Sequence, residues 1–158
     1  MNTFKRRLAA VAAATCLTAG FGVTAAGTAQ AAADDCGPLN IGKPGVLQME
    51  QHHIGEVQQV YNTCDGTARA HFTWDEASRQ AMLGFDVRVA LYRHNGTPAA
   101  SATAFARDGA VVDTPWAKID RKETYQVSAQ LVCMIAYGSY HSYADGAEWG
   151  DGRRATCM

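Results

Sequence analysis

Alternation of apolar and polar residues is the clearest pattern in the chain. From Phe85 to Leu91 every second residue is apolar, and the residues between them are mostly polar. The same period-two pattern runs through Thr67 to Trp74 and through Tyr125 to Cys133. Because successive side chains of a β-strand point to opposite faces, the pattern predicts half-buried strands of antiparallel sheets.

Turn signals separate these predicted strands. Asp65-Gly66 follows a predicted strand at Glu56 to Thr63, and Asn95-Gly96 precedes another at Thr97 to Phe105. Asp-Gly and Asn-Gly favour tight hairpin turns. About seven short strands at this spacing predict a single all-β domain, an immunoglobulin-like antiparallel β-sandwich.

Two local signals add detail to the sandwich. Asp75 is placed to cap a short helix over Glu76 to Met82, and Gly84 follows as a stop. Tyr125 begins a late strand after an acidic turn, a pattern typical of the tyrosine corner of Greek-key sandwiches. An ordinary buried tyrosine is the alternative interpretation of Tyr125.

The first 33 residues have the layout of a secretory signal peptide. Three basic residues at positions 5–7 precede the apolar run Leu8 to Val23, and small residues continue to Ala33. The apolar run is shorter than the roughly 20 residues that a membrane-spanning helix needs. We therefore expect a secreted, extracellular protein without a membrane anchor, and we expect Cys16 to be removed with the signal peptide.

Residues 34–55 are predicted to form an N-terminal arm ahead of a domain at residues 56–158. Glycines and prolines between Gly37 and Gly55 exclude a helix there, yet the segment is too apolar for a disordered leader. The expected partner-binding residues are Leu39, Ile41, Val46, Leu47 and Met49. An extended apolar segment suits strand addition or insertion into a partner's groove. The alternative is an intramolecular first strand at Val46 to Gln51.

Charge and cysteine content restrict the class of protein. Three of the 14 basic residues precede residue 34, so 11 remain against 15 acidic residues, a net charge of about −4 without the signal peptide. This acidic net charge does not predict nucleic-acid binding. Four cysteines remain, Cys36, Cys64, Cys133 and Cys157. An even number in an exported chain predicts two disulfides, with Cys36–Cys64 and Cys133–Cys157 favoured over a cross-sheet Cys64–Cys133 bridge.

The side chains that could carry out catalysis or bind a metal are not arranged in a pattern that predicts an active site. His71 with Asp75 and Glu76, or the pair His52-His53, have the side chains that acid–base or metal chemistry uses. His71 lies on the polar face of a predicted strand, however, and Asp75 is better used as a helix cap. No nucleophile motif accompanies them, so we expect no enzyme, no cofactor and no metal site.

The C-terminal tail is rich in aromatic residues on a glycine-containing backbone. Tyr140, Tyr143 and Trp149 could stack on sugars or anchor an interface, or they could pack on the tail's own domain. The acidic residues Asp145, Glu148 and Asp151 lack the spacing of an EF-hand, and we expect solvated turns there rather than a calcium site.

A resemblance brings these features together. The small exported chain with a cysteine-bearing arm, and the strands Val57 to Cys64 and Val87 to Gly96, resemble the adaptor subunit of umbrella toxin particles. The resemblance covers roughly Asp34 to Leu131 and rests on length, strands and arm rather than on a sharp motif. It implies a transthyretin-like sandwich.

By that resemblance the protein would be a non-enzymatic linker in a secreted antibacterial toxin complex. The sandwich would dock on a large helical-repeat toxin subunit, and the arm would insert into a lectin-bearing subunit, so the partners would be secreted proteins. Two alternatives from other classes are a secreted protease inhibitor and a carbohydrate-binding module that uses the aromatic tail.

Overall fold

A computed structural model describes residues 36–157 of the chain, except for the side chains of residues 156 and 157. The predicted signal peptide lies outside the described residues. The elements, in chain order, are β1 (Pro38–Met49), β2 (His52–Asn62), β3 (Thr67–Trp74), α1 (Glu76–Ala81), β4 (Asp86–Arg93), β5 (Pro98–Phe105), β6 (Val111–Asp113), β7 (Ala117–Lys118), β8 (Thr124–Leu131), β9 (Met134–Tyr137), β10 (Tyr140–Ser142), β11 (Glu148–Trp149) and β12 (Arg153–Cys157).

The strands form two antiparallel sheets, so the predicted all-β sandwich is confirmed. Sheet A has the order β1-β2-β3-β6, with β7 also paired to β3. Sheet B has the order β11-β10-β8-β4-β5, and β9 joins β8 to β12. The described chain has twelve strands rather than about seven, because the tail and the segment before β8 contribute short pairs.

The predicted alternation places the core between the sheets. Val87, Val89 and Leu91 of β4 are fully or almost fully buried. The largest fully buried side chains are Phe72 of β3, in sheet A, and Tyr125 of β8, which neighbours β4 in sheet B. The buried face is thus the apolar face that period-two alternation predicts.

Tyr125 forms the tyrosine corner. Its ring is fully buried, and its hydroxyl accepts a hydrogen bond from the backbone N–H of Asp120 at 3.0 Å, five residues upstream. This bond fixes the turn before β8 onto the body of the sandwich. Of the two interpretations of Tyr125, this hydrogen bond favours the corner over an ordinary buried tyrosine.

The N-terminal segment is the first strand of sheet A. Strand β1 pairs with β2 from Pro38↔Asn62 to Met49↔His52. The intramolecular strand therefore exists, and it begins eight residues before Val46. The physical reason is a bulge: the register shifts between Ile41 and Gly45, so the glycines and proline that predicted a break are accommodated without ending the strand.

The bulge of β1 fastens this edge of sheet A to sheet B. The Lys43 N–H donates to Ser139 Oγ at 2.8 Å, and the Ser139 N–H donates to the Lys43 carbonyl at 3.1 Å. Ser139 lies between β9 and β10. The side chain of Gln58 donates to the carbonyls of Ile41 at 2.6 Å and Gly42 at 3.0 Å. The polar groups that the bulge frees thus find partners within the domain.

Candidate partner-binding surface

An apolar groove of about 470 Å³ lies at one end of the sandwich. Three segments meet there: the end of β1, the chain that follows α1, and the turn between β8 and β9. Its lining is almost entirely apolar and consists of Met49, Ala81, Met82, Phe85, Leu131, Val132, Cys133 and Met134. A second hollow of about 300 Å³ shares Met49, Ala81 and Met82 with it. We call the two together the apolar end surface.

Large apolar side chains on this surface face solvent. Phe85 is 49% exposed and Val132 is 67% exposed, and Met49 is also exposed. Single exposed apolar residues are ordinary, but several grouped around a groove are typical of an interaction site. Methionines such as Met49 and Met82 adapt their shape to a partner because their side chains are unbranched.

Helix α1 holds one wall of the groove in place. Asp75 caps it as predicted, because its carboxylate accepts a hydrogen bond from the Ser78 N–H at 3.0 Å. Ser78 Oγ donates to the His53 carbonyl at 2.6 Å, and Arg79 donates to the Ala106 carbonyl at 3.1 Å. A helix of six residues is marginal alone, and these bonds anchor it to the sandwich.

The charges beside the apolar end surface are mainly acidic. Glu50 follows Met49 at the β1–β2 turn, and Asp86 follows Phe85. Glu76 binds Arg79 through two hydrogen bonds of 2.8 and 2.9 Å, so the charges of these two residues offset each other. Hydrogen bonds from Arg79 and Gln80 lower the pKa of Glu76 to about 2. At neutral pH the Glu76–Arg79 pair adds no net charge, and the acidic residues next in the chain to groove residues are Glu50 and Asp86.

Val132 adopts a backbone conformation that is unfavourable for a branched side chain. Its φ is +52°, in the left-handed region that branched residues rarely adopt. Such a residue costs on the order of 1–3 kcal/mol, and its exposed side chain regains little of that by burial. The adjacent Cys133 is disulfide-bonded, which ties this turn down. A strained, exposed and anchored apolar residue is typical of a functional position.

The five residues predicted to bind a partner are distributed along β1. Met49 lies on the apolar end surface, Leu39 is exposed near the opposite end of the strand, and Ile41 and Val46 are half-buried. Leu47 does not fit the prediction of an exposed partner-binding residue. Its side chain is fully buried in the core, because strand pairing directs it between the sheets.

The structure confirms one of the two predicted disulfides. Cys36 and Cys64 are bonded, with their Cα atoms 4.8 Å apart, so the start of β1 is tied to the β2–β3 turn. The side chain of Cys157 lies outside the described part of the structure. Its backbone pairs with Met134, the residue after Cys133.

A polar cluster on the outer face of sheet A was not predicted in full. His71 Nδ1 lies 2.7 Å from Asp113 Oδ1, and His71 Nε2 lies 3.2 Å from Thr73 Oγ1. Arg69 Nη1 also contacts Asp113, at 3.1 Å, and its guanidinium stacks on Trp116. Sequence reasoning chose His71 but missed Asp113, whose position opposite His71 follows only from the pairing of β3 with β6.

This cluster has a hydroxyl, an imidazole and a carboxylate in series, the order used in nucleophilic catalysis. Thr73, however, lies in the middle of sheet A, opposite Glu56 on one side and Val111 on the other. Its strand's backbone N–H groups are therefore committed to the ladder and do not supply an oxyanion site. The arrangement fits an ion-pair network that holds β3 and β6 together.

The remaining candidates for acid–base or metal chemistry are separate from one another. His52 borders the second hollow, and His53 Nε2 lies 3.5 Å from Glu56. Asp145 caps its own turn, whereas Glu148 accepts a hydrogen bond from Ser139 and Asp151 pairs with Lys43. Among residues 36–157 there is no group of three or more acidic, histidine or cysteine side chains placed to hold a metal.

The aromatic tail divides between core and surface. Tyr143 packs against Tyr61 and Tyr125, and its hydroxyl accepts a hydrogen bond from Gln59. Burial raises the pKa of the Tyr143 phenol far above its ordinary value, and burial also lowers the pKa of His141 beside it. Tyr140 and Trp149 face each other on β10 and β11 and remain partly exposed.

Comparison of the chain with protein families, with characterised proteins and with solved structures found no match. Within the described residues no helix is long and apolar enough to cross a membrane.

Proposed function

We propose that this protein is a secreted, non-enzymatic adaptor that holds a protein partner through the apolar end surface. The observation that carries the proposal is the grouping of exposed Met49, Phe85 and strained Val132 around one groove. Such a surface costs solubility unless another molecule covers it. The domain holds this surface in place, because β1 is paired within sheet A and α1 is hydrogen-bonded to the sandwich.

The charges define the partner's chemistry. Because Glu50 and Asp86 are next in the chain to Met49 and Phe85 of the groove, and because Glu76 and Arg79 offset each other, the expected partner segment has an apolar side chain flanked by lysine or arginine. Opposite charges on the two surfaces would speed association, and added salt would slow it.

The resemblance to umbrella toxin adaptors extends this proposal to a secreted antibacterial complex, with a lectin-bearing subunit and a large helical-repeat toxin subunit as partners. An adaptor needs separate binding faces and no catalytic group. Because β1 is part of sheet A, the surface that we assign to a partner is the apolar end surface and not an inserted arm.

Affinity purification from the culture supernatant of the producing organism tests the proposal. Wild-type protein should recover a secreted partner in fixed stoichiometry, and Phe85→Ser and Val132→Asp should lose it. Val111→Ser is the matched control, since Val111 is also an exposed valine but lies on sheet A. Recovery of the wild type as an unassociated monomer, or equal recovery of the partner by Phe85→Ser, would contradict the proposal.

The protease-inhibitor alternative is tested with the same preparation. An inhibitor would block a trypsin-like or subtilisin-like protease at a one-to-one ratio, and an adaptor would leave both active. Stoichiometric inhibition that Val132→Asp abolishes would replace the adaptor hypothesis.

A further inference from the structure

Three aromatic residues, Tyr92, Tyr140 and Trp149, lie on the outer face of sheet B, away from the apolar end surface. Tyr140 is opposite Trp149 in the β10–β11 pair, and Tyr92 is opposite Gln126 in the β4–β8 pair. Strand β10 continues along β8 from His141↔Tyr125, so Tyr140 follows next to Gln126. Across the sheet, from β11 to β4, the residues therefore lie in the order Trp149, Tyr140, Gln126, Tyr92. We call this the aromatic row.

The aromatic row borders a cleft of about 290 Å³. Tyr92, Gln126 and Tyr140 line it together with Tyr137, and the hairpin turn that begins at Arg93 closes one side. Trp149 is 46% exposed, and the three tyrosines are partly exposed. The rings are therefore partly accessible to a ligand.

The residues beside the row are small and almost fully buried: Ala90 is 1% exposed and Ser128 is 5% exposed. Ala90 and Ser128 pair with each other two residues away from Tyr92 and Gln126, on the same face of the sheet. With strands about 4.8 Å apart, the four strands from β11 to β4 extend the row over roughly 14 Å. That length suits a chain of several rings better than a single small molecule.

The charges of the cleft favour a neutral ligand. Arg93 Nε lies 3.3 Å from Glu123 Oε2, so the arginine beside the cleft is compensated. The other polar groups are tyrosine hydroxyls, the Gln126 amide and His94. Aromatic rings with a few placed hydrogen-bonding groups are what a sugar needs, because a pyranose has an apolar C–H face and a polar edge.

We propose that the outer face of sheet B binds a neutral β-1,4-linked glycan, with pyranose rings stacked on Trp149, Tyr140 and Tyr92. Equatorial linkage keeps such a chain extended and leaves its C–H faces flat, which suits a row of rings that runs across neighbouring strands. The proposal uses a different face from the apolar end surface and does not depend on the proposed adaptor function.

The test is a titration of the intact protein with two probes, cellohexaose and chitohexaose, followed by calorimetry and by amide chemical shifts. Saturable binding of one hexaose is expected, with shifts grouped around Tyr92, Gln126 and Tyr140. The two probes distinguish a glucose chain from an N-acetylglucosamine chain. Absence of binding by both hexaoses would overturn the proposal, as would shifts confined to sheet A.

Variants make the test specific. Tyr140→Ala and Tyr92→Ala should each weaken binding by about 5- to 10-fold, since a stacked ring contributes about 1 kcal/mol or more. Tyr140→Phe keeps the ring and should stay within about twofold of wild type. Trp116→Ala is the control, because Trp116 is an exposed aromatic beside sheet A. Equal affinity of wild type and Tyr92→Ala, with both folded by circular dichroism, would contradict the proposal.

Discussion

Replacement of Gly45 by alanine tests whether β1 belongs to the sandwich in solution. A Cβ at Gly45 would lie 2.5 Å from the carbonyl carbon and 2.6 Å from the oxygen of Tyr137, and 2.9 Å from the nitrogen of Gly138. All three atoms are backbone, so no side-chain rotation relieves the overlap. The β9–β10 connection or β1 itself must move.

The size of the effect follows from the competing terms. Overpacking of this kind costs typically 1–3 kcal/mol, and rigid neighbours place Gly45→Ala near the upper end. Alanine also restricts the unfolded chain, which offsets about 0.5 kcal/mol. We expect a net loss of about 2 kcal/mol in the free energy of unfolding. For a domain of this size that lowers Tm by about 8 °C.

Gly84→Ala is the matched control. Nothing lies within 4 Å of a Cβ built there, and its φ is outside the left-handed region. We expect a gain of about 0.5 kcal/mol for the restricted unfolded state. The assay is urea unfolding followed by circular dichroism, with both variants at one pH and temperature. Equal stability of Gly45→Ala and Gly84→Ala would mean that residues 38–49 are not held in sheet A, and the arm hypothesis would return.

Three further predictions concern the tyrosine corner, the strained turn and the helix. Tyr125→Phe should lose about 1 kcal/mol in urea unfolding, because the Asp120 N–H loses its acceptor, and an unchanged midpoint would refute the corner. Val132→Gly should gain about 1 kcal/mol by relieving strain while weakening partner binding, and a destabilised variant would contradict this reading. The pKa of Glu76 is lowered from 4.5 to about 2, so its stabilising effect is complete above pH 4.5 and is lost as the pH falls through 2. A carboxyl titration by NMR with a midpoint near 4.5 would refute the pairing of Glu76 with Arg79.

The elements that local signals specify were predictable from the sequence. Strand β3 has the predicted bounds Thr67–Trp74, because a hairpin turn precedes it and its alternation is regular. Helix α1 begins after Asp75 as predicted, since a capping side chain acts within one turn. The corner at Tyr125 likewise depends on contacts within five residues.

Features that depend on distant contacts were not predictable. The full length of β1 is stabilised by Ser139, 96 residues from Lys43, so its glycines and proline predicted a break when considered locally. The apolar end surface combines Met49, Phe85 and Val132 from three turns that only the fold brings together. The aromatic row depends in the same way on the β4–β8 pairing, which no local pattern encodes.

The most direct test of the proposed adaptor function is the hydrogen-exchange footprint of this protein in complex with the partner recovered from the supernatant. We expect slower amide exchange at residues 81–85 and 131–134 than in the free protein, with no change in β5. Protection confined to other strands, or exchange identical to that of the free protein, would contradict the assignment of partner binding to the apolar end surface.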